Sequence, residues 1–247
     1  MNTQRYFLEL SYYGAAYSGF QVQENANSVQ EEVEKAIKVL QKKEVTLTGS
    51  SRTDTGVHAL QNYFHFDYEG EINKHFLYKL NAILPRDIVL QKLSAVNGDA
   101  HCRFDAISRS YKYFVYRHKN PFVQDRAYYY PYKLDFSLLQ ETASIIKTYS
   151  DFTTFAKRNT QVKTFECRIY ESQWTTENDC LVYTVKANRF LRGMVRGLTG
   201  TMLKVATGKM SIEEFKSVIE SKNNSRADFA VPGHGLFLIN VEYPFPL

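Results

Sequence analysis

Segments in which apolar residues alternate strictly are interleaved with segments of helical period, and that interleaving restricts the chain to folds that combine sheet with helix. Tyr6, Leu8, Leu10 and Tyr12 fall on one side of an expected strand that stops at Gly14. Ser28-Val29-Gln30-Glu31 then reads as a capping box, and Val29, Val33, Ala36, Ile37 and Leu40 recur on one helical face. Val45 to Thr48 is expected as a strand, Ser50 to Ala59 as a polar loop, and Asn62 to Tyr68 as a strand again. Asn73 is expected to cap a helix through Leu84, which Pro85 stops, and Ile88 to Val96 alternates as another strand.

Near residue 105 the pattern starts afresh. Ser108 to Arg117 reads as a strand, Asp135 as the cap of a helix running to Tyr149, and Arg168 to Gln173 pairs with Leu181 to Ala187 through the Glu177-Asn178-Asp179 turn. Phe190 to Thr207 is expected to be helical and closed by Gly208; Ser211 opens one more helix, and Leu236 to Val241 is the last strand. Strands with intervening helices in each half predict two similar α+β units, 1–105 and 106–247, rather than an alternating parallel sheet.

Charge separates the halves. Residues 1 to 105 carry 11 Lys and Arg against 13 Asp and Glu, whereas residues 106 to 247 carry 20 against 13, so the net charge of +5 sits in the C-terminal half. A concentrated basic face points to a polyanion, nucleic acid first. The N-terminus lacks the apolar core of a secretory signal and no apolar run reaches membrane-spanning length, which predicts a soluble, cytoplasmic protein with no membrane partner. Cys102, Cys167 and Cys180 are scattered and odd in number, indicating neither a disulfide framework nor a zinc knuckle. The histidines lack paired metal-ligand spacing, and no Gly-rich phosphate loop is present, so neither a metal nor a nucleotide cofactor is expected.

The densest chemical signal is Gly49-Ser50-Ser51-Arg52-Thr53-Asp54-Thr55-Gly56-Val57-His58-Ala59. By composition alone, an Asp two residues from an Arg in such a loop reads as turn chemistry and a surface ion pair. The order of residues says more. Arg52-Thr53-Asp54-Thr55-Gly56-Val57-His58-Ala59 resembles the Arg-Thr-Asp-x-Gly-Val-His-Ala signature of the tRNA pseudouridine synthase A family. Further segments follow in that family's order: Gly19-Phe20-Gln21, Asn81-Ala82-Ile83-Leu84-Pro85-Arg86-Asp87-Ile88, Arg103-Phe104-Asp105-Ala106, Tyr111-Lys112-Tyr113, Asp151-Phe152-Thr153-Thr154-Phe155, Ala187 to Arg196, and Gly235-Leu236-Phe237-Leu238. Phe20 stands where Trp is usual, Ser51 where Gly is usual, and Gly193 where His is common.

The resemblance implies a mixed, mostly antiparallel central sheet flanked by helices, with a cleft between the two α+β halves. It implies conversion of uridine to pseudouridine in the tRNA anticodon arm by a homodimer, with Asp54 as the single catalytic carboxylate and no cofactor. It also implies that Tyr111 stacks on the target base, Leu236 packs on the base's other side, Arg52 fills the vacated stack, and Arg196 keeps Asp54 ionised. Arg189, Arg192 and Arg196 fall at helical i, i+3 and i+7 spacing, a basic stripe suited to phosphate. His58 is expected to brace the loop rather than transfer a proton. Two other readings compete: a different base-modifying or glycosidic-bond enzyme using a loop carboxylate, and a non-catalytic RNA-binding protein or chaperone.

Overall fold

The N-terminal alternation folds as β1 (Thr3–Tyr12) in a computed structural model that describes residues 3–158 and 162–247. Leu8, Leu10 and Tyr12 are buried as the pattern requires. Phe7, on the opposite face, is buried as well, because Tyr243 and Phe245 meet its ring edge-on at centroid distances of 5.2 and 6.1 Å. The chain divides into two compact units, Met1–Ile107 with Leu238–Leu247, and Ser108–Phe237.

In the first unit, α1 (Val29–Gln41) buries Val29, Val33, Ala36 and Ile37, each large side chain contributing about 1.5–3 kcal/mol. Ser28 caps it by accepting from the Glu31 N–H at 3.3 Å, while the Glu31 carboxylate pairs forward with Lys35 at 2.7 Å. The expected strand from Val45 shrinks to β2 (Thr48–Gly49). The reason lies in α1: Glu34 accepts from the Leu47 N–H at 3.0 Å and Gln30 donates to the Leu47 carbonyl at 2.8 Å, taking both backbone groups a ladder would need. Next come β3 (His58–Glu69), which starts four residues earlier than the alternation suggests, and α2 (Phe76–Ile83). Asn73 does not cap α2. Its side chain accepts from the His75 N–H and its carbonyl from the Phe76 N–H, both at 2.8 Å, closing a turn ahead of the helix.

Strand β4 (Ile88–Val96) completes the unit's own run. β1 lies between β3 and β4, antiparallel to both, and β2 pairs with β3; the C-terminal strand (Leu236–Glu242) follows β3 in the order. Where the β1–β4 register slips, Asn81 on α2 exchanges hydrogen bonds with both backbone groups of Leu90, at 2.8 and 2.9 Å. A second slip, between Leu10–Asn62 and Tyr12–Ala59, lies at the polar-loop end of β1 and β3; such irregularities re-aim a strand end.

The second unit contains β5 (Ser108–Tyr116), β6 (Tyr128–Tyr129), α3 (Phe136–Ile146), β7 (Ile169–Glu177), β8 (Cys180–Ala187), α4 (Met194–Ala206) and α5 (Ile212–Glu220). β8 is antiparallel to both β5 and β7, and β6 runs parallel to β5, which makes the architecture mixed but mostly antiparallel. Asn178 and Asp179 both have positive φ, 47° and 63°, as a two-residue hairpin turn demands. Asp135 caps α3 by accepting from the N–H groups of Ser137 and Leu138. Gln140 on the same helix donates to the Trp174 carbonyl at 2.6 Å and fixes α3 on β7. Ser211 and Glu214 form a reciprocal capping box on α5.

The helix expected from Phe190 begins only at Met194. Gly193 sits at φ +75°, and the carbonyl of Arg192 is taken by the Lys157 N–H at 2.9 Å, so the backbone ahead of α4 is tied down tertiarily instead of coiling. The fold class is α+β as expected. Among the described residues, no helix is long and apolar enough to cross a membrane.

Candidate active site

The loop between β2 and β3 gains its shape from the segment after β1. Thr53 is buried, its hydroxyl 2.8 Å from the Tyr12 hydroxyl and its carbonyl accepting from the Phe20 N–H at 3.1 Å. On the far side of Asp54, the Thr55 hydroxyl donates to the Ser18 carbonyl at 3.1 Å, and the Gly56 N–H donates to the Tyr17 carbonyl at 3.3 Å. The Val57 N–H closes a turn on the Asp54 carbonyl at 3.2 Å. Asn62, fully buried, donates to the Ser51 carbonyl at 2.9 Å. Asp54 is thus a half-buried carboxylate on a backbone fixed on both sides, and Arg52 on the same loop is exposed. Such preorganisation holds a reactive group in place without strain at the moment of reaction.

The bracing segment is itself secured. Tyr17 donates to the Asp87 carboxylate at 2.6 Å, and the Tyr13 N–H donates to the Asp87 carbonyl at 2.8 Å. Burial, followed by that carboxylate, pushes the Tyr17 phenol well above its ordinary range, so the bond holds throughout the physiological range. His58 is buried; its Nδ1 accepts from the Gly14 N–H at 2.9 Å and its ring stacks on Tyr13 at 4.5 Å. This is a bracing role. Nothing in the local sequence marks Tyr12, Tyr17, Asn62 and Asp87 as loop supports. Asp87 belongs to the Asn81-to-Ile88 segment, but its partner Tyr17 is 70 residues away, a separation that local pattern does not bridge.

The remaining predicted residues belong to the second unit; Arg189 and Arg192 precede α4, and Arg196 lies in its first turn. Tyr111 on β5 faces Val185 of β8, is 8% exposed, and meets Phe190 edge-on at 4.9 Å. Arg192 is exposed and Arg189 half-buried. Because α4 starts at Met194, only Arg196 of the three arginines is helical, and the expected i, i+3, i+7 stripe does not form. Arg196 lies in the first turn, with Nε donating to the Val231 carbonyl at 2.8 Å and a terminal nitrogen 3.4 Å from the Phe229 carbonyl. That segment packs directly on α4, because a Cβ at Gly200 would stand 2.3 Å from the Asp228 carbonyl oxygen. Leu236, 7% exposed, opens the C-terminal strand after a turn whose Pro232 carbonyl accepts from Tyr113 at 2.7 Å.

A family model described as tRNA pseudouridine synthase matches residues 10–105 and 149–244. The chain belongs to that family. Curated relatives named tRNA pseudouridine synthase A extend the likeness along nearly the full length. The protein from Parabacteroides distasonis is 44% identical over 243 residues, 98% of this chain and 96% of its own. That from Bacteroides fragilis is 45% identical over 248 residues, covering 99% and 98%, and that from Bacillus subtilis 39% over 239 residues, covering 95% and 97%. The tRNA pseudouridine synthases are isomerases. The two matched stretches correspond to two similar halves, the first holding the Asp54 loop and the second Arg189 to Arg196 and Leu236; Tyr111 falls between them.

Proposed function

We propose that this enzyme isomerises uridine to pseudouridine in the anticodon arm of tRNA, with Asp54 as its one catalytic carboxylate. The observation that carries the reading is the loop itself: a half-buried carboxylate whose neighbours on both sides are hydrogen-bonded to the segment after β1.

The chemistry asks for little else. The bond from uracil N1 to the sugar C1′ breaks, a bond from C5 to C1′ forms, the C5 hydrogen leaves as a proton and N1 gains one. Composition and oxidation level are unchanged, so the reaction requires no cofactor. An ionised Asp54 serves either as nucleophile at C1′ or as base at C2′, and both routes need the same charged group. A uridine stacked in RNA must first leave its stack. Tyr111 then offers a ring to the extruded base and Leu236 an apolar face, while Arg52, exposed on the loop, fills the gap. Arg189 and Arg192 bind phosphates, and Arg196, always charged, favours ionised Asp54. The enzyme works in the cytoplasm as a homodimer, one subunit gripping the tRNA body while the other performs chemistry.

The test is incubation of substoichiometric protein with unmodified tRNA labelled with tritium at uridine C5. Expected are many turnovers of tritium release, no change in RNA mass, and pseudouridine mapped to the anticodon arm. A change in mass would assign a different reaction, and stoichiometric binding without release would make the chain an RNA-binding protein.

A further inference from the structure

The first unit holds a second cluster of reactive side chains, beside the β2–β3 stem of the Asp54 loop. His65 lies on β3 opposite Thr48 of β2, and His101 and Cys102 sit in the turn after β4. One ligand atom from each of the three lies within 4.8 Å of the other two. His65 Nδ1 is 3.2 Å from Cys102 Sγ and also accepts from the Cys102 N–H at 3.3 Å. The thiol is 3.1 Å from the Thr48 carbonyl oxygen.

We infer that His65, His101 and Cys102 form a structural site for a thiophilic d10 cation, with zinc as the best fit. Ligand atoms of a tetrahedral zinc stand about 3.3–3.8 Å apart, given bonds of about 2.0–2.3 Å, so small side-chain rotations suffice. Two imidazoles and a thiolate are the soft donors zinc prefers, and water or the Thr48 carbonyl supplies the fourth position. The Asp105 carboxylate accepts from the His101 N–H at 2.7 Å and holds the ligand-bearing turn. Zinc is bound by the thiolate, so the Cys102 thiol gives its proton to solvent as the zinc–sulfur bond forms. The half-buried His101 leaves the cluster open to solvent.

The site would clamp the turn after β4 to the β2–β3 stem that carries the Asp54 loop. Tyr243 already ties these parts, with its hydroxyl 2.6 Å from the Cys102 carbonyl and 3.2 Å from the Ser50 hydroxyl. Local spacing could not show this, because His65 and Cys102 are 37 residues apart. All three cysteines are buried, and among the described residues only Cys102 belongs to a group of three side chains with ligand atoms this close.

The test uses the full chain stripped with a chelator and titrated with cobalt, then zinc. One equivalent of cobalt should produce a thiolate-to-cobalt charge-transfer band that zinc abolishes, with release of one proton. Zinc should also raise the melting temperature. Cys102→Ser should lose the band and bind zinc at least about 100-fold more weakly, since loss of even an outer-shell partner typically costs 10–100-fold. His101→Gln, at a more exposed position, should weaken binding in the same direction, whereas the paired change Cys167→Ser and Cys180→Ser should keep the band. Melts in chelator establish that each variant folds. No band in the wild type, or a band that survives Cys102→Ser, overturns the site.

Discussion

Gly49 and Phe20 provide a quantitative test of how the loop is seated. Phe20 is 1% exposed and stacked on Phe64 at 4.5 Å with an interplanar angle of 14°, and Tyr12 lies on it at 5.6 Å. A Cβ built on Gly49 would stand 2.5 Å from the Phe20 Cε1 and 3.2 Å from its Cδ1. Real Cβ atoms do not approach so closely, so either the ring or the β2 backbone must give by nearly an ångström, and the ring has aromatic neighbours. Overpacking of this kind typically costs 1–3 kcal/mol, offset by roughly 0.4–1 kcal/mol from a less flexible unfolded chain. Gly49→Ala should therefore destabilise the protein by about 1–2 kcal/mol, and turnover should fall because Gly49 leads into the loop. Phe20→Leu should cost about 1–2 kcal/mol through lost packing. In that background the Cε1 atom is gone, and Gly49→Ala should be nearly neutral, giving a coupling of about 1–2 kcal/mol. Urea unfolding of the four proteins measures it. Costs that simply add, to within about 0.5 kcal/mol, would show that the ring and the glycine do not constrain each other.

Three further outcomes are expected. Among the described residues, the buried Ser51 hydroxyl has no hydrogen-bond partner, so Ser51→Ala should raise stability by about 1 kcal/mol in the same urea assay, and a loss of stability would reveal a partner. Burial pushes Asp151 upward, but hydrogen bonds from Lys222 and both the hydroxyl and N–H of Thr153 outweigh it and hold the carboxyl at about 2. A carboxylate depressed below its unfolded value stabilises the fold above about pH 4 and loses that contribution as pH falls through about 2; Asp151→Asn should flatten stability against pH in that window. Tyr111→Phe should bind tRNA better than Tyr111→Leu, because a stacked base is worth about 1–3 kcal/mol; equal binding with equal loss of thermal stability would make Tyr111 a core residue.

What the sequence disclosed depended on whether a signal was local. The Ser211 cap, the Asp135 cap and the Asn178-Asp179 hairpin are short-range chemistry, and each appears where its residues predict. Val45 to Leu47 failed because α1 side chains, Glu34 and Gln30, claim the Leu47 backbone. Phe190 to Arg192 failed because the Lys157 N–H takes the Arg192 carbonyl and Asn188, just ahead of the stretch, is held by the Arg168 N–H. β6, two residues long, is too brief to show a period. The Asp54 loop was visible through the order of its residues, but its supports were not: Tyr12, Asn62 and Asp87 act across 11 to 70 residues. The return of Tyr243 and Phe245 to cover Phe7 is likewise a tertiary event that no local pattern records.

The most direct test of the whole account is Asp54→Asn. Asparagine matches the carboxylate in size and keeps turn hydrogen bonds, so the loop that Thr53, Thr55 and Gly56 fasten should persist. The amide carries no charge, is a poor nucleophile and accepts no proton near neutral pH, which closes both routes. Under single-turnover conditions, release of tritium from C5-labelled uridine in tRNA should fall by several orders of magnitude, while tRNA retention on filters and the melting temperature stay close to wild type. Near-normal release by the Asn variant would contradict the assignment of Asp54 as the catalytic carboxylate.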